Sequence, residues 1–156
     1  MRNIFRIITI TLLFVQSSIV YGQINFTNGG GDKLFSNAAN WSTGKVPTAA
    51  DKIKLDTNGD TIIVDGVYSV RQILATKVKG AFIGNGGNDT LYINGNSGIG
   101  QPIQANGTDA RVAFHLPVVL ETTVGTQTKS FATNGGGSHI KFFDVFINHS
   151  MHLSLS

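Results

Sequence analysis

A glycine-rich stretch in the middle of the chain has the residue types of a calcium site. Gly84, Gly87, Asp89 and Leu91 fall on the nonapeptide pattern G-G-x-G-x-D-x-[apolar]-x, while Asn85 replaces its second glycine. Backbone carbonyls and a turn Asp supply the oxygen ligands that Ca²⁺ prefers. Such sites are shared between successive turns, so a single copy lacks half of the ligands, and a plain Gly/Asn corner is the main expectation. The candidate calcium residues are Gly84, Gly87 and Asp89.

Four aspartates form a second candidate group, because Asp51, Asp56, Asp60 and Asp65 lie within fifteen residues. If the four carboxylates lay along a common edge, they could act in acid–base catalysis or bind a metal ion. Their turn-like surroundings favour another role, since Asp in turns accepts hydrogen bonds from nearby backbone amides. We therefore expect them to stabilise turns.

Aromatic rings offer a third kind of chemistry, which is stacking on sugars. Trp41, Tyr68 and Tyr92 are the candidate glycan-binding residues. A lone Trp among Ala, Val and Pro is also typical of a core position, where its indole N–H finds a partner. For Trp41 the core role is the main expectation.

The remaining reactive residues do not make a recognisable catalytic set. His149 and His152 are three positions apart with Asp144 nearby, but in a strand such residues point to opposite faces. The chain lacks a Gly-x-Ser-x-Gly motif, and its single glutamate, Glu121, leaves no Glu pair for glycoside hydrolysis. A pair of Asp carboxylates acting in glycoside hydrolysis stays an open alternative. We name no catalytic residue and expect a protein without enzymatic activity.

The elements that must position these residues are short strands. β-branched and apolar residues alternate between clusters of Gly, Asn and Asp, and no stretch has a capped 3.6-residue period. The fold class predicted is all-β. Predicted strands include Thr61–Val64, Val67–Val70, Thr90–Ile93, Ile99–Ile103, Arg111–Phe114, Val118–Leu120, Lys129–Ala132 and His139–Ile147.

Residues 1–22 are predicted to be a secretory signal peptide. Arg2 and Arg6 make the start of the chain basic, and an apolar run extends from Ile7 to Val15. Gly22 precedes the expected cleavage site. The apolar run is shorter than the roughly 20 residues of a membrane-spanning helix. We expect an exported protein, secreted or on a bacterial outer surface, with no transmembrane segment after cleavage.

Charge restricts the classes of partner, and cysteine content restricts the sources of stability. Without Arg2 and Arg6 the 12 basic residues become 10 against 9 acidic ones, which is close to neutral. The densest basic group is Lys77 with Lys79, and a nucleic-acid binder would show a basic stripe. We expect no nucleic-acid partner. The chain has no cysteine, so burial and backbone pairing must stabilise it.

Short strands with frequent turns permit a β-sandwich, a closed barrel or a parallel β-solenoid. Two-residue hairpin turns are few, and turns of mixed length recur about every 8 to 12 residues. This pattern favours the solenoid, with coils of roughly 20 to 30 residues. The β-sandwich is the alternative.

One segment resembles a known group of proteins. Asn40-Trp41-Ser42, Gly44, Val46-Pro47, Asp51, Ile53 and Leu55 follow the pattern N-W-x-x-G-x-x-P-x-x-x-D-x-x-x-[LIV]. This segment, with the later Arg111–Leu120, is similar to exported bacterial β-helix surface proteins, including autotransporter-like and adhesin-like passengers and Bacteroidota surface proteins. The resemblance covers about a third of the chain. It implies a right-handed parallel β-helix and an extracellular location, and it implies no particular activity.

Together these observations predict three parts: a signal peptide at 1–22, an N-terminal cap at 23–52, and β-helix coils at 53–156 that continue in a longer protein. In the cap, Trp41 and Phe35 are expected to cover the first coil. The predicted function is an adhesin-like scaffold that presents loops to glycans or other cell-surface components. The alternatives are the N-terminal part of a β-helix polysaccharide lyase or glycoside hydrolase, and a carbohydrate-binding β-sandwich.

Overall fold

The computed structural model describes residues 22–57, 59–76, 78–94, 101–121, 127–134, 138–147 and 151–155. Within these ranges the chain forms β-strands and one 3₁₀ turn at Ala38–Asn40, with no α-helix. The all-β prediction is confirmed. The strands are β1 Gln23–Asn25, β2 Lys52–Leu55, β3 Asp60–Val64, β4 Val67–Val70, β5 Gln72–Thr76, β6 Lys79–Gly84, β7 Thr90–Ile93, β8 Ile103–Asn106, β9 Arg111–Leu120, β10 Gln127–Asn134, β11 His139–Ile147 and β12 Met151–Leu155.

Alternation of apolar and polar residues explains why these segments are strands. In β9 every second residue is buried from Val112 to Leu120, and the residues between them face outward. Glycines with positive φ stand at the turns, where Gly59, Gly86 and Gly107 have φ of 89°, 94° and 95°. A residue with a Cβ adopts these angles only at a cost, so the turns explain the glycines.

All ladders between described strands are parallel. One sheet has the order β1-β2-β5-β8-β10-β12, and the other has the order β3-β6-β9-β7-β4 with β11 also on β9. The first half of β9 pairs with β6 and its second half with β7. These ladders are not those of a β-sandwich built from antiparallel sheets, so that alternative does not fit.

The register places like residues on top of one another. Ile53 pairs with Ile73, and Ile73 with Ile103. A second column joins Phe82, Phe114 and Phe142. The aromatic rings in this column stack at centroid distances of 5.2 and 5.1 Å with planes within 10°. Each fully buried apolar side chain of this size contributes about 1.5–3 kcal/mol, so the columns are a main source of stability.

Predicted and observed strand boundaries differ most at two places. β8 begins at Ile103, the last residue of the strand predicted at Ile99–Ile103; Gln101 and Pro102 precede the strand, and Ile99 and Gly100 lie outside the described residues. The strands predicted at Arg111–Phe114 and Val118–Leu120 are one continuous strand. β9 advances three residues, to Pro117, where β11 advances two, so β9 carries an extra residue there. A bulge tolerates a proline because the ladder is already interrupted.

The segment before β2 lies over the first strands and is hydrogen-bonded to both sheets. β1 pairs with β2, and Phe35 N–H donates to the Ile63 carbonyl at 2.8 Å. Ser36 donates through its backbone N–H to Asp65 Oδ1 at 3.1 Å, and its hydroxyl donates to Asp65 Oδ2. The segment is therefore bonded to residues that lie far along the chain. The predicted signal peptide lies outside the described residues, apart from Gly22.

Candidate functional site

Trp41 lies inside the cap. Its side chain is 2% exposed, and Nε1 donates to the Phe35 carbonyl at 2.9 Å. Phe26 and Phe35 meet its ring edge to face at centroid distances of 5.3 and 5.0 Å. The indole therefore has no ring face open to a sugar, and these contacts fit the predicted lid.

The two candidate tyrosines lie on opposite faces of their strands. Tyr68 is half-buried and stacks on Phe35 at 4.2 Å, while its hydroxyl donates to Asp65 Oδ1 at 3.3 Å. Burial, with the nearby Asp65 carboxylate, raises the pKa of Tyr68. Tyr68 pairs with Leu91, so Tyr92, one position on, points to the other side. The three candidate rings therefore do not form one sugar platform; Tyr92 alone faces outward.

The predicted calcium residues form a corner between β6 and β7. Asp89 is 8% exposed, and its Oδ2 accepts from the N–H groups of Asn85 at 2.6 Å and Gly87 at 3.2 Å. Gly86, between them, has φ of 94°. The carboxylate thus stabilises its own loop. Calcium binding at Gly84, Gly87 and Asp89 stays a prediction. Among the described residues, His, Cys, Asp and Glu side chains form no group of three placed to hold a metal ion.

The four clustered aspartates have separate partners. The contacts are Asp51 with the N–H and hydroxyl of Thr48, Asp56 with Lys54 Nζ, Asp60 with Thr57 N–H, and Asp65 with Ser36 and Tyr68. Asp51 and Asp60 each bond to a turn three residues earlier, as predicted from their surroundings. Asp65 differs, because it joins the cap to the first strands.

A second polar network lies within the cap. Asn40 is fully buried; its Nδ2 donates to Asp32 Oδ1 at 2.6 Å and to the Leu34 carbonyl at 2.8 Å, and its Oδ1 accepts from Gly30 N–H at 2.9 Å. Asp32 also accepts from Asn37 Nδ2 at 2.8 Å. Hydrogen bonds from Asn40, Asn37 and the Leu34 N–H lower the pKa of Asp32. The network holds a carboxylate in its ionised form and fixes the loop.

An open groove of about 320 Å³ runs over the outer face of the second sheet, where β3, β6, β9 and β11 begin. Register alignment brings Lys79, Arg111 and His139 into one row across the strands. Small residues lie beside this row, with Ala81 paired to Ala113. The groove therefore has a shallow floor and one wall of nitrogen-bearing side chains.

Asp109 organises that wall. Its carboxylate contacts Lys79 Nζ at 2.8 Å and Arg111 Nη2 at 2.5 Å. Its backbone has φ of 62°, a left-handed conformation that Asp tolerates better than most residues. Lys79 and then Arg111 lower the pKa of Asp109, so the carboxylate stays ionised and keeps both cations in place. These partly exposed ion pairs orient the cations and add little to stability.

The groove ends at the start of β3 on one side and at a further cation on the other. Asp60 lines the first end, but alternation along β3 puts its side chain on the same side as the buried Ile62, where its carboxylate accepts from Thr57 N–H. Burial, as the main cause, raises the pKa of Asp60. Lys141, exposed on β11, pairs with Ala113 and lines the opposite end. Asp60 belongs to the aspartate group considered above, whereas no cation of the groove was predicted as a site residue, since Lys79, Arg111 and Lys141 are far apart in the sequence. Their common face follows from the register alone.

No family model matches the chain, no curated protein matches it, and no solved structure matches it. Within the described residues, no helix has the length and apolar character needed to cross a membrane.

Proposed function

We propose that this protein is an exported bacterial surface module of the adhesin-like type, built as a right-handed parallel β-helix with an N-terminal cap. The carrying observation is the register: Ile53, Ile73 and Ile103 stack in one sheet while Phe82, Phe114 and Phe142 stack in the other. A chain that returns to the same parallel sheet after each pass supports a solenoid. Right-handed crossovers are the rule for parallel strands, which supports the handedness.

The proposed mechanism is presentation of a surface rather than turnover. Stacked repeats make a stiff body in which each strand contacts its neighbours. The groove on the second sheet is the contact surface that we assign to glycans or other cell-surface components. Many weak contacts of this kind, repeated over many copies on a cell, add up to firm attachment.

Export and contact are testable on the full chain. Expressed in a bacterial host with its leader, the protein is expected outside the cytoplasm with Gln23 as first residue, measured by intact mass. On cells that display the protein, added protease is expected to cleave it. The same cells are expected to bind glycan-coated surfaces. A chain that stays in the cytoplasm with its leader intact would contradict the proposal.

The second candidate is a polysaccharide lyase, and the groove is the observation that favours it. Lys79, Arg111 and His139 bring three nitrogen-bearing side chains to one face, where they could supply the base and bind the sugar carboxylate. In such a step a base removes the proton next to a sugar carboxylate, the bond to the leaving oxygen breaks, a C=C bond forms, and the oxygen gains a proton. Incubation with polygalacturonate distinguishes the two: unsaturated products absorbing in the ultraviolet indicate a lyase, and their absence favours the binding module.

A further inference from the structure

We infer that the groove binds an acidic polysaccharide, a linear chain of uronate units lying across strands β3, β6, β9 and β11. The inference rests on the proposed function, because an exported surface module meets such polymers outside the cell. It goes further by naming the ligand class and the face of the protein that takes it.

The spacing of the nitrogen-bearing side chains carries the first step. Lys79, Arg111 and His139 stand on adjacent strands in register. Adjacent strands are about 4.8 Å apart, so the row presents a regular series of donors at right angles to the strands. A linear polymer with acids at intervals matches a row of this kind. A compact ligand would touch only part of it.

The balance of charge carries the second step. Lys79, Arg111 and Lys141 give three positive charges, and Asp109, which lies beside the groove against two of them, gives one negative charge, so two positive charges remain at neutral pH. A carboxylate ligand gains from the cations. The Asp109 carboxylate beside the row can accept a hydrogen bond from a hydroxyl group, which every unit of a uronate chain offers. The backbone of single-stranded DNA has no free hydroxyl group along its length, so the mixed charge favours a uronate polymer.

The floor carries the third step. Thr61, Ala81 and Ala113 are the outward residues of β3, β6 and β9 within the groove. Pairing in register aligns them into a strip of small side chains. A flat polymer can lie against this strip and reach the cations beside it. Larger residues here would hold the ligand above the sheet.

Lys141→Glu tests the assignment, with Lys45→Glu as matched control. Both residues are exposed, and both changes alter the net charge equally, but Lys45 lies in the cap and outside the groove. The probes are polygalacturonate oligomers, neutral dextran oligomers and single-stranded DNA, with affinity measured by calorimetry. We expect the wild type to bind polygalacturonate over dextran and DNA. Loss of one charge-assisted contact predicts about 10- to 100-fold weaker binding for Lys141→Glu and less than about twofold for Lys45→Glu.

Three results would overturn the inference: no binding of polygalacturonate by the wild type, equal losses in the two variants, or tighter binding of DNA. A folded Lys141→Glu protein is confirmed by an unchanged melting temperature. Ala113→Trp gives a second test, because a large ring on the floor should weaken binding while every charge is kept. These results are separate from export: a protein displayed on cells that ignores polygalacturonate contradicts the inference and leaves the surface-module proposal standing.

Discussion

Trp41→Ala is expected to remove a large part of the stability of the fold. The indole is 2% exposed and contacts Phe26 and Phe35, so truncation leaves a cavity in the cap. Buried Trp to Ala changes cost about 3–5 kcal/mol. Whole domains are stable by only about 5–15 kcal/mol. For a chain of this size the loss corresponds to a fall in melting temperature of about 10–20 °C.

Thermal unfolding followed by far-ultraviolet circular dichroism measures this fall. Trp41→Phe is the matched control, because it keeps an aromatic ring but removes the hydrogen bond from Nε1 to the Phe35 carbonyl. A buried acceptor left without its donor costs about 1–3 kcal/mol, so this variant should lie between wild type and Trp41→Ala. An unchanged melting temperature in Trp41→Ala would refute the buried position and restore the ring as a candidate sugar platform.

Three further predictions concern the core and the cap. Phe114→Ala should cost about 3–5 kcal/mol in urea unfolding, because the ring is fully buried between two others, and Phe114→Leu should cost less; equal costs would contradict the aromatic stack. Gly80→Ala should cost about 1–3 kcal/mol, since the added Cβ would lie 2.5 Å from Cδ1 of Leu55, whose full burial limits how far its side chain can turn away; a neutral result would contradict that approach. Asp32 has a lowered pKa, so its contribution to stability is present above its ordinary value of 3.8 and is lost as the pH falls through the lower folded value. Wild type and Asp32→Asn should therefore converge in stability below pH 3.8, and a pH-independent difference between them would contradict this.

Local pattern was enough to predict most of the strands and the burial of Trp41. Alternation in Thr90–Ile93 and Val67–Val70 predicted β7 and β4 with their observed bounds. Trp41 was predicted to lie in the core because a lone large ring among small apolar residues has few other uses. These predictions succeed because side-chain period and turn chemistry depend on neighbours in the sequence.

The groove could not be predicted, since it depends on which strands pair and in which register. Lys79 pairs with Arg111, and Arg111 with His139, across separations of 32 and 28 residues. Single basic residues so far apart gave no basic stripe in the sequence. The bond between Ser36 and Asp65 was missed for the same reason, although the turn bonds of Asp51 and Asp60 were expected.

The in-register stacking of the strands can be tested most directly by cross-linking, because the groove exists only if that register is right. The chain has no cysteine, so any intramolecular disulfide that forms must join the two introduced cysteines. Ala81→Cys with Ala113→Cys places two thiols on paired residues of adjacent strands, about 5 Å apart and within disulfide reach. Ala81→Cys with His115→Cys is offset by two residues, at roughly 8 Å, and is out of reach.

Mass spectrometry without reductant, after mild oxidation, counts the thiols that remain in each folded variant. We predict an intramolecular disulfide in the Ala81→Cys, Ala113→Cys protein and two free thiols in the Ala81→Cys, His115→Cys protein. Free thiols in the first protein with a disulfide in the second would contradict the register, and with it the groove.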